Sequence, residues 1–292
     1  MIISTEKSNP QTVDIDLANG QKIAELINAE DLKVAVAIQK ILPQIGDAIE
    51  KIAHRMKQGG RMAYFGSGTS GRIGVLDASE MPPTFGVSPS LVQGYISGGD
   101  KALRCAVENA EDRADLAEQD FADFNAKPED IVVSISASGN PQYGVKVLEL
   151  ARQKKCLTIA LTSNPNAALK MFADIFLCTE VGPEVLTGSS RMKAGTAQKM
   201  ILNMLSTGAM IKLGKAYHNY MIDLQINNTK LYERANRFVQ EITGADEQTA
   251  KNALDKAKHV ATACVMIAKN CDKEAAQELL RQNGGILRKI IE

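Results

Sequence analysis

Five short apolar runs, separated mostly by helix-like segments, set the strongest limit on how this chain folds. Alternation of strand and helix is typical of a parallel sheet, because parallel neighbours need a long crossover that is usually helical. The runs are apolar at successive positions, as expected for strands that are covered by helices on both faces. The sequence therefore predicts an α/β fold, a three-layer sandwich whose strands lie at residues 62–65, 91–96, 131–135, 157–161 and 175–178.

Helical patterns flank this predicted sheet. Isoleucines recur every three or four residues from residue 38 to 52 and are followed by Met56, which predicts one amphipathic helix, bent at Pro43 and stopped by the glycines at 59–60. A second long, apolar helix is expected from residue 192 to 213. Its glycines Gly195 and Gly208 permit close approach of another helix, which suggests a homodimer interface.

The composition changes after residue 244 to short helices rich in Ala, Lys and Glu, expected at 247–270 and 272–282 and followed by a final turn. We therefore expect three parts along the chain. They are an N-terminal helical segment packed on the sheet domain (1–58), the α/β domain itself (59–240) and a small C-terminal helical bundle (241–292).

Charge and cysteine content argue against several classes of function. The 292 residues carry 34 basic and 34 acidic side chains, so no net charge attracts a polyanion and no nucleic-acid partner is expected. Five cysteines and three histidines are scattered without a metal-ligand spacing, which predicts reduced thiols and no metal site. No apolar run has the length of a membrane span or signal peptide, so we expect a cytoplasmic protein without a membrane partner.

A loop rich in glycine and hydroxyl groups follows the first predicted strand. Residues 66–72 read Gly-Ser-Gly-Thr-Ser-Gly-Arg and lead into a helix-like segment. Glycines let backbone amides crowd an oxyanion, and the N-terminus of a helix favours negative charge. Ser67, Thr69 and Ser70 add hydroxyl donors, so this loop is a candidate phosphate site.

A related loop follows the third predicted strand, where Ser136, Ser138 and Asn140 precede a helix-like segment. Because ligands of open α/β sheets bind beyond the carboxyl ends of the strands, we expect both loops to line one site. The first loop lacks the lysine of a nucleotide P-loop, and its bare Gly-x-Gly-x-x-Gly match is a weak sign of a dinucleotide. A terminal phosphate is the better fit.

Three strings of residues resemble the N-acetylmuramic acid 6-phosphate etherases: 66–72, 76–88 (Leu-Asp-Ala-Ser-Glu-Met-Pro-Pro-Thr-Phe-Gly-Val-Ser) and 182–199, which begins Gly-Pro-Glu-Val-Leu-Thr-Gly-Ser-Ser-Arg-Met-Lys. The similarity extends from about residue 10 to the C-terminal bundle and centres on the sugar isomerase (SIS) domain of phosphosugar isomerases and regulators. One departure is Pro141, which replaces the threonine often found after Asn140 and shifts the expected phosphate contacts onto the serines of the second loop. The resemblance implies a five-stranded parallel sheet. It also implies hydrolysis of the D-lactyl ether of N-acetylmuramic acid 6-phosphate to N-acetylglucosamine 6-phosphate and D-lactate in cell-wall recycling.

Such an ether is hard to displace directly, because an alkoxide is a poor leaving group. If the sugar ring opens, the C1 aldehyde acidifies the C2 hydrogen, so that a carboxylate can remove it while an acid protonates the lactate oxygen leaving C3. Water then adds to the unsaturated aldehyde, and neither metal nor cofactor is needed. The resemblance places a proton-donating glutamate at Glu80 and a second active-site glutamate at Glu111. Which of them takes the C2 proton is open.

Four polar residues of the string at 182–199 have two possible roles. Glu184, Ser189, Arg191 and Lys193 either bind the phosphosugar or cap the long helix that begins there. We include Glu184, Ser189 and Lys193 among the candidate substrate-binding residues.

Two other functions fit the same loops. An aldose–ketose phosphosugar isomerase would also open the ring and remove the C2 proton, but it would release no lactate. A non-catalytic phosphosugar sensor would bind without turnover and pass the signal to a partner. The N-terminus lacks a basic helix-turn-helix pattern, which argues against a DNA-binding sensor.

Overall fold

The computed structural model describes residues 3–292, and the predicted parallel sheet lies at its centre. All five predicted strands are confirmed to within one residue at each end. They are β1 (Met62–Gly66), β2 (Val92–Ile96), β3 (Ile131–Ile135), β4 (Leu157–Thr162) and β5 (Ile175–Cys178).

Helices account for most of the remaining chain. Described in chain order, they are α1 (Gly20–Gln39), α2 (Leu42–Lys57), α3 (Gly68–Phe85), α4 (Gly99–Arg104), α5 (Ala114–Phe124), α6 (Gln142–Gln153), α7 (Lys193–Lys212), α8 (Thr229–Thr243), α9 (Glu247–Ala257), α10 (Val260–Lys269), α11 (Lys273–Gln282) and α12 (Arg288–Ile291). A two-stranded antiparallel ribbon, β6 (Ala216–Tyr217) and β7 (Tyr220–Met221), follows α7. Short 3-10 turns lie at Ser4–Glu6, Ile15–Leu17, Ala110–Asp112 and Ala168–Phe172. Within residues 3–292, no helix combines the length and apolar character required to cross a bilayer.

The strand order places β1 inside the sheet rather than at its edge. The order is β2-β1-β3-β4-β5, so the chain leaves β1 for the edge strand β2 and then returns to the other side of β1 as β3. Met62 lies opposite both Val92 and Ile131 in parallel register. This reversal of direction beside β1 creates a crevice at the carboxyl ends of β1 and β3, where open α/β sheets bind their ligands.

The sheet is covered on both faces, as its sequence predicts. Every residue of β1, β3 and β4 is buried. Phe65 of β1 stacks on Tyr95 of β2 with ring centroids 4.8 Å apart, and it also packs against Phe121 and Phe124 of α5. The sheet is therefore a rigid base for the loops that follow its strands.

The single bent helix predicted across Pro43 is wrong, because the structure has two helices there. α1 ends at Gln39, and α2 begins at Leu42 with Pro43 in its first turn. Proline suits that position, since the first amides of a helix have no intrahelical partner and proline's fixed φ is already helical. The predicted stop is confirmed, because α2 ends at Lys57 and Gly59 adopts a left-handed φ of 91°.

α3 continues through Pro82 and Pro83 and ends at Phe85, before the left-handed Gly86. One further boundary differs from the sequence prediction. The helix predicted over 247–270 is two helices, because Lys258 takes a left-handed conformation that closes α9. The long apolar helix predicted over 192–213 is confirmed as α7.

The chain forms two compact units. The first comprises the residues up to Ser79 together with Ser90–Ser206, and the second comprises Glu80–Pro89 and Thr207–Glu292. In the second unit, α8 packs against α9 and α10 around an apolar core of small and aliphatic side chains. Side chains cap four of its helices, from Asn228, Asp246, His259 and Asp272.

Candidate active site

A cavity of about 270 Å³ lies in the first unit, at the carboxyl ends of β1 and β3. We call it the loop cavity, because its walls come from the loop after β1 and the loop after β3. Six of the residues selected from the sequence line it: Ser67, Thr69, Ser70, Glu111, Ser136 and Ser138. The two loops thus share one cavity, as their positions after neighbouring strands require.

Glycines bring the first turn of α3 against the end of β1. A Cβ atom on Gly71 would lie 2.6 Å from the carbonyl oxygen of Gly66 and 2.6 Å from Cγ1 of Ile96. Gly139 in the other loop has a φ of 68°, and a Cβ there would lie 2.4 Å from the Cβ of Ala167. Only glycine fits these close approaches without backbone movement. The unpaired amides and positive dipole end of α3 therefore lie at the loop cavity, where they favour an anion.

Two serine hydroxyls of the loop cavity are held as donors. Ser97 Oγ donates to Ser67 Oγ at 2.7 Å, and the Gly139 amide donates to Ser136 Oγ at 3.0 Å. A hydroxyl that accepts one hydrogen bond keeps its own proton to donate. The described lining of this cavity contains no Lys, Arg or His, so amides and hydroxyls are its donors for a bound anion.

A buried carboxylate fixes the orientation of α3. Asp77 accepts hydrogen bonds from the Tyr64 hydroxyl at 2.8 Å, from Asn203 Nδ2 at 2.6 Å and from the Ser206 hydroxyl at 3.1 Å. Burial and the neighbouring Asp77 charge raise the pKa of Tyr64 well above its ordinary value, so the phenol remains a donor. This network joins β1, α3 and the first-unit part of α7.

Glu111 lies at the border of two cavities. It belongs to the turn Ala110–Asp112, it is exposed, and it lines both the loop cavity and an adjoining space of about 230 Å³, which we call the side cavity. The next helix, α5, begins only at Ala114, so Glu111 lies on the turn that precedes it.

Glu80 occupies a different part of the chain from this cavity lining. It lies on α3 in the segment that belongs to the second unit, and it is exposed. Among the residues described, those that line the loop cavity and the side cavity do not include Glu80.

Asn140 and Ser189 also lie outside the described lining of the two cavities. Asn140 Oδ1 accepts the backbone N–H of Ala168 at 3.1 Å, which ties the second loop to the turn before β5. Ser189 precedes α7, and its neighbour Ser190 lines the loop cavity instead. Arg191 is exposed.

Glu184 and Lys193 make buried contacts within the protein. The Glu184 carboxylate accepts the backbone N–H groups of Lys193 at 2.9 Å and Ala194 at 3.0 Å, so it caps α7. Burial raises the pKa of Glu184, although these two hydrogen bonds oppose the rise. Lys193 Nζ donates to Glu30 Oε2 at 2.6 Å, and both side chains are almost completely buried. Of the two roles considered for Glu184, substrate binding and helix capping, the structure shows the contacts of a helix cap.

Sequence reasoning missed four polar side chains in the lining of the loop cavity. Thr5, Glu6, Tyr143 and Ser190 line it. Ser190 could have been predicted, because it adjoins Ser189 in the string at 182–199. Thr5 and Glu6 belong to no recognisable motif. Tyr143 reads as a core residue, and it is indeed fully buried, with its hydroxyl donating to Asp120 at 2.5 Å.

α7 passes close to the first loop. A Cβ on Gly195 would lie 3.5 Å from Thr69 Cγ2, so this glycine faces α3 within its own unit.

In the described chain, no group of three or more His, Cys, Asp and Glu side chains is placed to hold a metal ion. A larger cavity, of about 970 Å³, lies in the second unit beside Lys215, Asp223 and His259, away from the phosphate-loop motifs in sequence.

Family models match most of the chain. Residues 44–152 match the N-terminal SIS domain of glucokinase regulatory protein, residues 114–208 match the SIS domain, and residues 218–261 match the C-terminal lid domain of glucokinase regulatory protein. Among solved structures, phosphoheptose isomerase from Neisseria gonorrhoeae is 16% identical with a TM-score of 0.51, covering 65% of this chain and 98% of that chain. A putative phosphosugar isomerase from Bacteroides fragilis, described as involved in capsule formation, is 21% identical with a TM-score of 0.52, covering 68% and 94%. These likenesses confirm the predicted SIS fold.

Curated relatives match over almost the whole length. N-acetylmuramic acid 6-phosphate etherase from Caldanaerobacter subterraneus subsp. tengcongensis is 49% identical over 98% of this chain and 94% of its own. The same-named protein of Glaesserella parasuis is 48% identical over 96% and 93%. Such identity over full length confirms the resemblance read from the sequence strings, and the chain belongs to the N-acetylmuramic acid 6-phosphate etherase family.

Proposed function

We propose that the chain is a carbon–oxygen lyase that cleaves the D-lactyl ether of N-acetylmuramic acid 6-phosphate with water. The products are N-acetylglucosamine 6-phosphate and D-lactate, within cell-wall amino-sugar recycling. The observation that carries this proposal is that nearly half of the residues are identical to those of etherases along almost the full chain. The loop cavity supports it, because its helix N-terminus and serine hydroxyls suit a phosphate ester.

The phosphate on C6 binds in the loop cavity in this proposal. Ser67 and Ser136 donate their hydroxyl protons to it, together with the first amides of α3. Binding energy gained there orients the distant C2 and C3 atoms, which raises the rate when it is realised in the transition state. We therefore expect the dephosphorylated sugar to release lactate much more slowly.

The reaction proceeds by elimination followed by addition of water. In the open-chain aldehyde, a carboxylate removes the C2 proton, the C2=C3 bond forms, and the C3–O bond breaks as an acid protonates the lactate oxygen. Water then adds its oxygen to C3 and a proton to C2. We assign these proton transfers to Glu80 and Glu111. Position at the border of two cavities supports Glu111, and the sequence resemblance supports Glu80.

Isotope labelling tests the reaction. The purified protein is incubated with N-acetylmuramic acid 6-phosphate in D2O enriched in oxygen-18, and both products are analysed by mass spectrometry and NMR. We expect oxygen-18 on C3 of the sugar, deuterium on C2 and unlabelled ether oxygen in D-lactate. Oxygen-18 in lactate would refute elimination. A ketose phosphate without lactate would identify an isomerase, and binding without turnover would identify a sensor.

Two conservative variants test the glutamates. Glu80→Gln and Glu111→Gln keep shape but remove the titratable carboxyl, so each is expected to lower kcat by about 10²–10⁴-fold. Asp112→Asn is the matched control, because Asp112 lies on the same turn as Glu111 but outside the cavity lining. Near-normal kcat for a folded Glu→Gln variant would exclude that residue from the proton transfers.

We also propose a cytoplasmic homodimer whose active sites draw on both subunits. Mixing Glu80→Gln with Glu111→Gln protein then restores part of the activity, because some sites receive two intact glutamates. Sedimentation measurements give the mass of the assembly. A monomer, or a mixture without any recovery in a proven mixed dimer, would overturn the shared site.

A further inference from the structure

We propose that Arg72, in the side cavity, binds the carboxylate of the substrate's lactyl group and thereby selects the acid form of that substrate. The inference rests on the proposed function and adds a specificity-determining residue to it. On sequence grounds, no residue of the loop at 66–72 is assigned to binding of the lactyl carboxylate.

The two cavities have the dimensions of one divided site. The loop cavity measures about 270 Å³ and the side cavity about 230 Å³. Sites for small molecules usually have volumes of roughly 300–1,000 Å³, so each cavity alone is too small but the two together fall within this range. Their linings share Ser67, Gly68 and Glu111. A ligand with two polar ends, one in each cavity, would therefore pass beside Glu111.

The proposed substrate has two anionic ends, the phosphate on C6 and the carboxylate of the lactyl group on C3. The loop cavity offers amides and hydroxyls, whereas Arg72 is the cationic residue in the described lining of the side cavity. With the phosphate in the loop cavity, the lactyl end lies toward the side cavity. The breaking C3–O bond then lies near Glu111.

The guanidinium of Arg72 is positioned without being neutralised. Its Nε donates to the carbonyl oxygen of Leu103 at 3.0 Å, and Nη2 makes a longer contact of 3.5 Å with that of Cys105. In residues 3–292, Arg72 forms no ion pair with a carboxylate. A guanidinium has five N–H donors, so donors remain for a carboxylate, which a planar guanidinium recognises in a bidentate manner.

Two carboxylates, Glu108 and Glu111, also line the side cavity, and both are exposed. They disfavour a free anion such as lactate, which helps the product to leave once the ether is cleaved. A tethered carboxylate enters against this repulsion because the phosphate end is already bound. Arg72 thus acts on the substrate more strongly than on the separated lactate.

The test compares two substrates that differ only at the lactyl carboxylate: N-acetylmuramic acid 6-phosphate and its lactyl methyl amide. Wild-type protein is expected to prefer the acid in kcat/KM by about tenfold to a hundredfold, the usual worth of a hydrogen bond to a charged group. Arg72→Gln should lose most of this preference, and Arg72→Lys should keep part of it. Binding of N-acetylglucosamine 6-phosphate, measured by calorimetry, should be unchanged in both variants.

Arg104→Gln is the control, because Arg104 is a nearby exposed arginine outside both linings. If Arg72 only anchors the segment around Leu103, Arg72→Gln will lower kcat/KM equally for both substrates, which overturns the inference. Weaker binding of N-acetylglucosamine 6-phosphate would assign Arg72 to the phosphate and overturn it as well. Absence of lactate release by wild-type protein would instead refute the proposed function. Calorimetric binding of acid and amide would then still report whether Arg72 distinguishes the carboxylate.

Discussion

Replacing Lys193 by Met separates a structural role of this residue from a role in binding substrate. Lys193 and Glu30 form a buried ion pair, with side-chain exposures of 1% and 4%. Methionine keeps the length and apolar stem of lysine but removes the ammonium. Glu30 then retains a hydrogen bond from Asn9 and the ammonium of Lys33, whose side chain is 54% exposed and whose Nζ lies 2.5 Å from Glu30 Oε1.

The expected loss of stability follows from the uncompensated charge. Breaking a buried ion pair by removing one partner costs about 3–5 kcal/mol. Lys33 still compensates part of the Glu30 charge, so we expect Lys193→Met to lower the free energy of unfolding by about 2–4 kcal/mol at pH 7. Replacing both residues, as in Glu30→Leu with Lys193→Met, should recover most of this loss, because a well-packed apolar pair is often as stable.

The pH dependence gives a second measurement. Burial alone would raise the pKa of Glu30, but hydrogen bonds from Lys193 and Lys33 outweigh it and lower the pKa below its ordinary value. The ion pair therefore stabilises the wild type above the unfolded pKa of Glu30, and this contribution is lost as pH falls through the lower, folded pKa. In Lys193→Met, burial dominates, so the deficit relative to wild type should shrink on acidification as Glu30 takes up a proton.

Urea denaturation followed by circular dichroism, at pH 7 and at pH 5, measures both effects. Lactate release per folded molecule should stay close to that of the wild type, because Lys193 Nζ bonds Glu30 and does not line the loop cavity. A loss of stability below about 1 kcal/mol would refute the buried-charge argument, since surface ion pairs are worth no more than that. Normal stability with a large rise in KM would instead place Lys193 on the substrate.

Three further predictions concern the framework of the site and the second unit. Gly139→Ala should lower stability by about 2–5 kcal/mol, because its φ of 68° is left-handed and its Cβ would also meet Ala167. Gly182→Ala, with φ of 74° and open space, should show only the left-handed cost of about 1–2 kcal/mol, and equal losses in thermal denaturation would contradict the packing argument. Tyr64→Phe should cost about 1–3 kcal/mol, since Asp77 loses a buried donor, and an unchanged urea midpoint would argue against the network. Burial would raise the pKa of Asp223, but hydrogen bonds from His259 and Lys215 lower it, so the free energy of unfolding should decrease as pH falls through this lowered pKa. Asp223→Asn should weaken that decrease. A variant whose stability depends on acid pH as that of the wild type does would contradict the prediction.

The N-terminal helices and the string before α7 show where sequence patterns were insufficient. An isoleucine stripe continues across Pro43 as if one helix were present, because periodicity records which side chains are apolar but not where the backbone breaks. Glu184 and Lys193 had two possible roles on sequence grounds. Glu184 caps amides nine and ten residues further along the chain, whereas Glu30, the partner of Lys193, is 163 residues away and is brought to it only by the fold.

Local sequence by itself determined the five strands and the two loops of the site. Apolar runs specify strands that are buried on both faces, and the glycines at 66 and 71 are required by a close backbone approach within their own loop. Only the tertiary structure decided that β1 lies between β2 and β3, which brings both loops to one cavity. It also decided that Thr5, Tyr143 and Ser190 line this cavity, because these residues come from separate parts of the chain and meet only when the core packs.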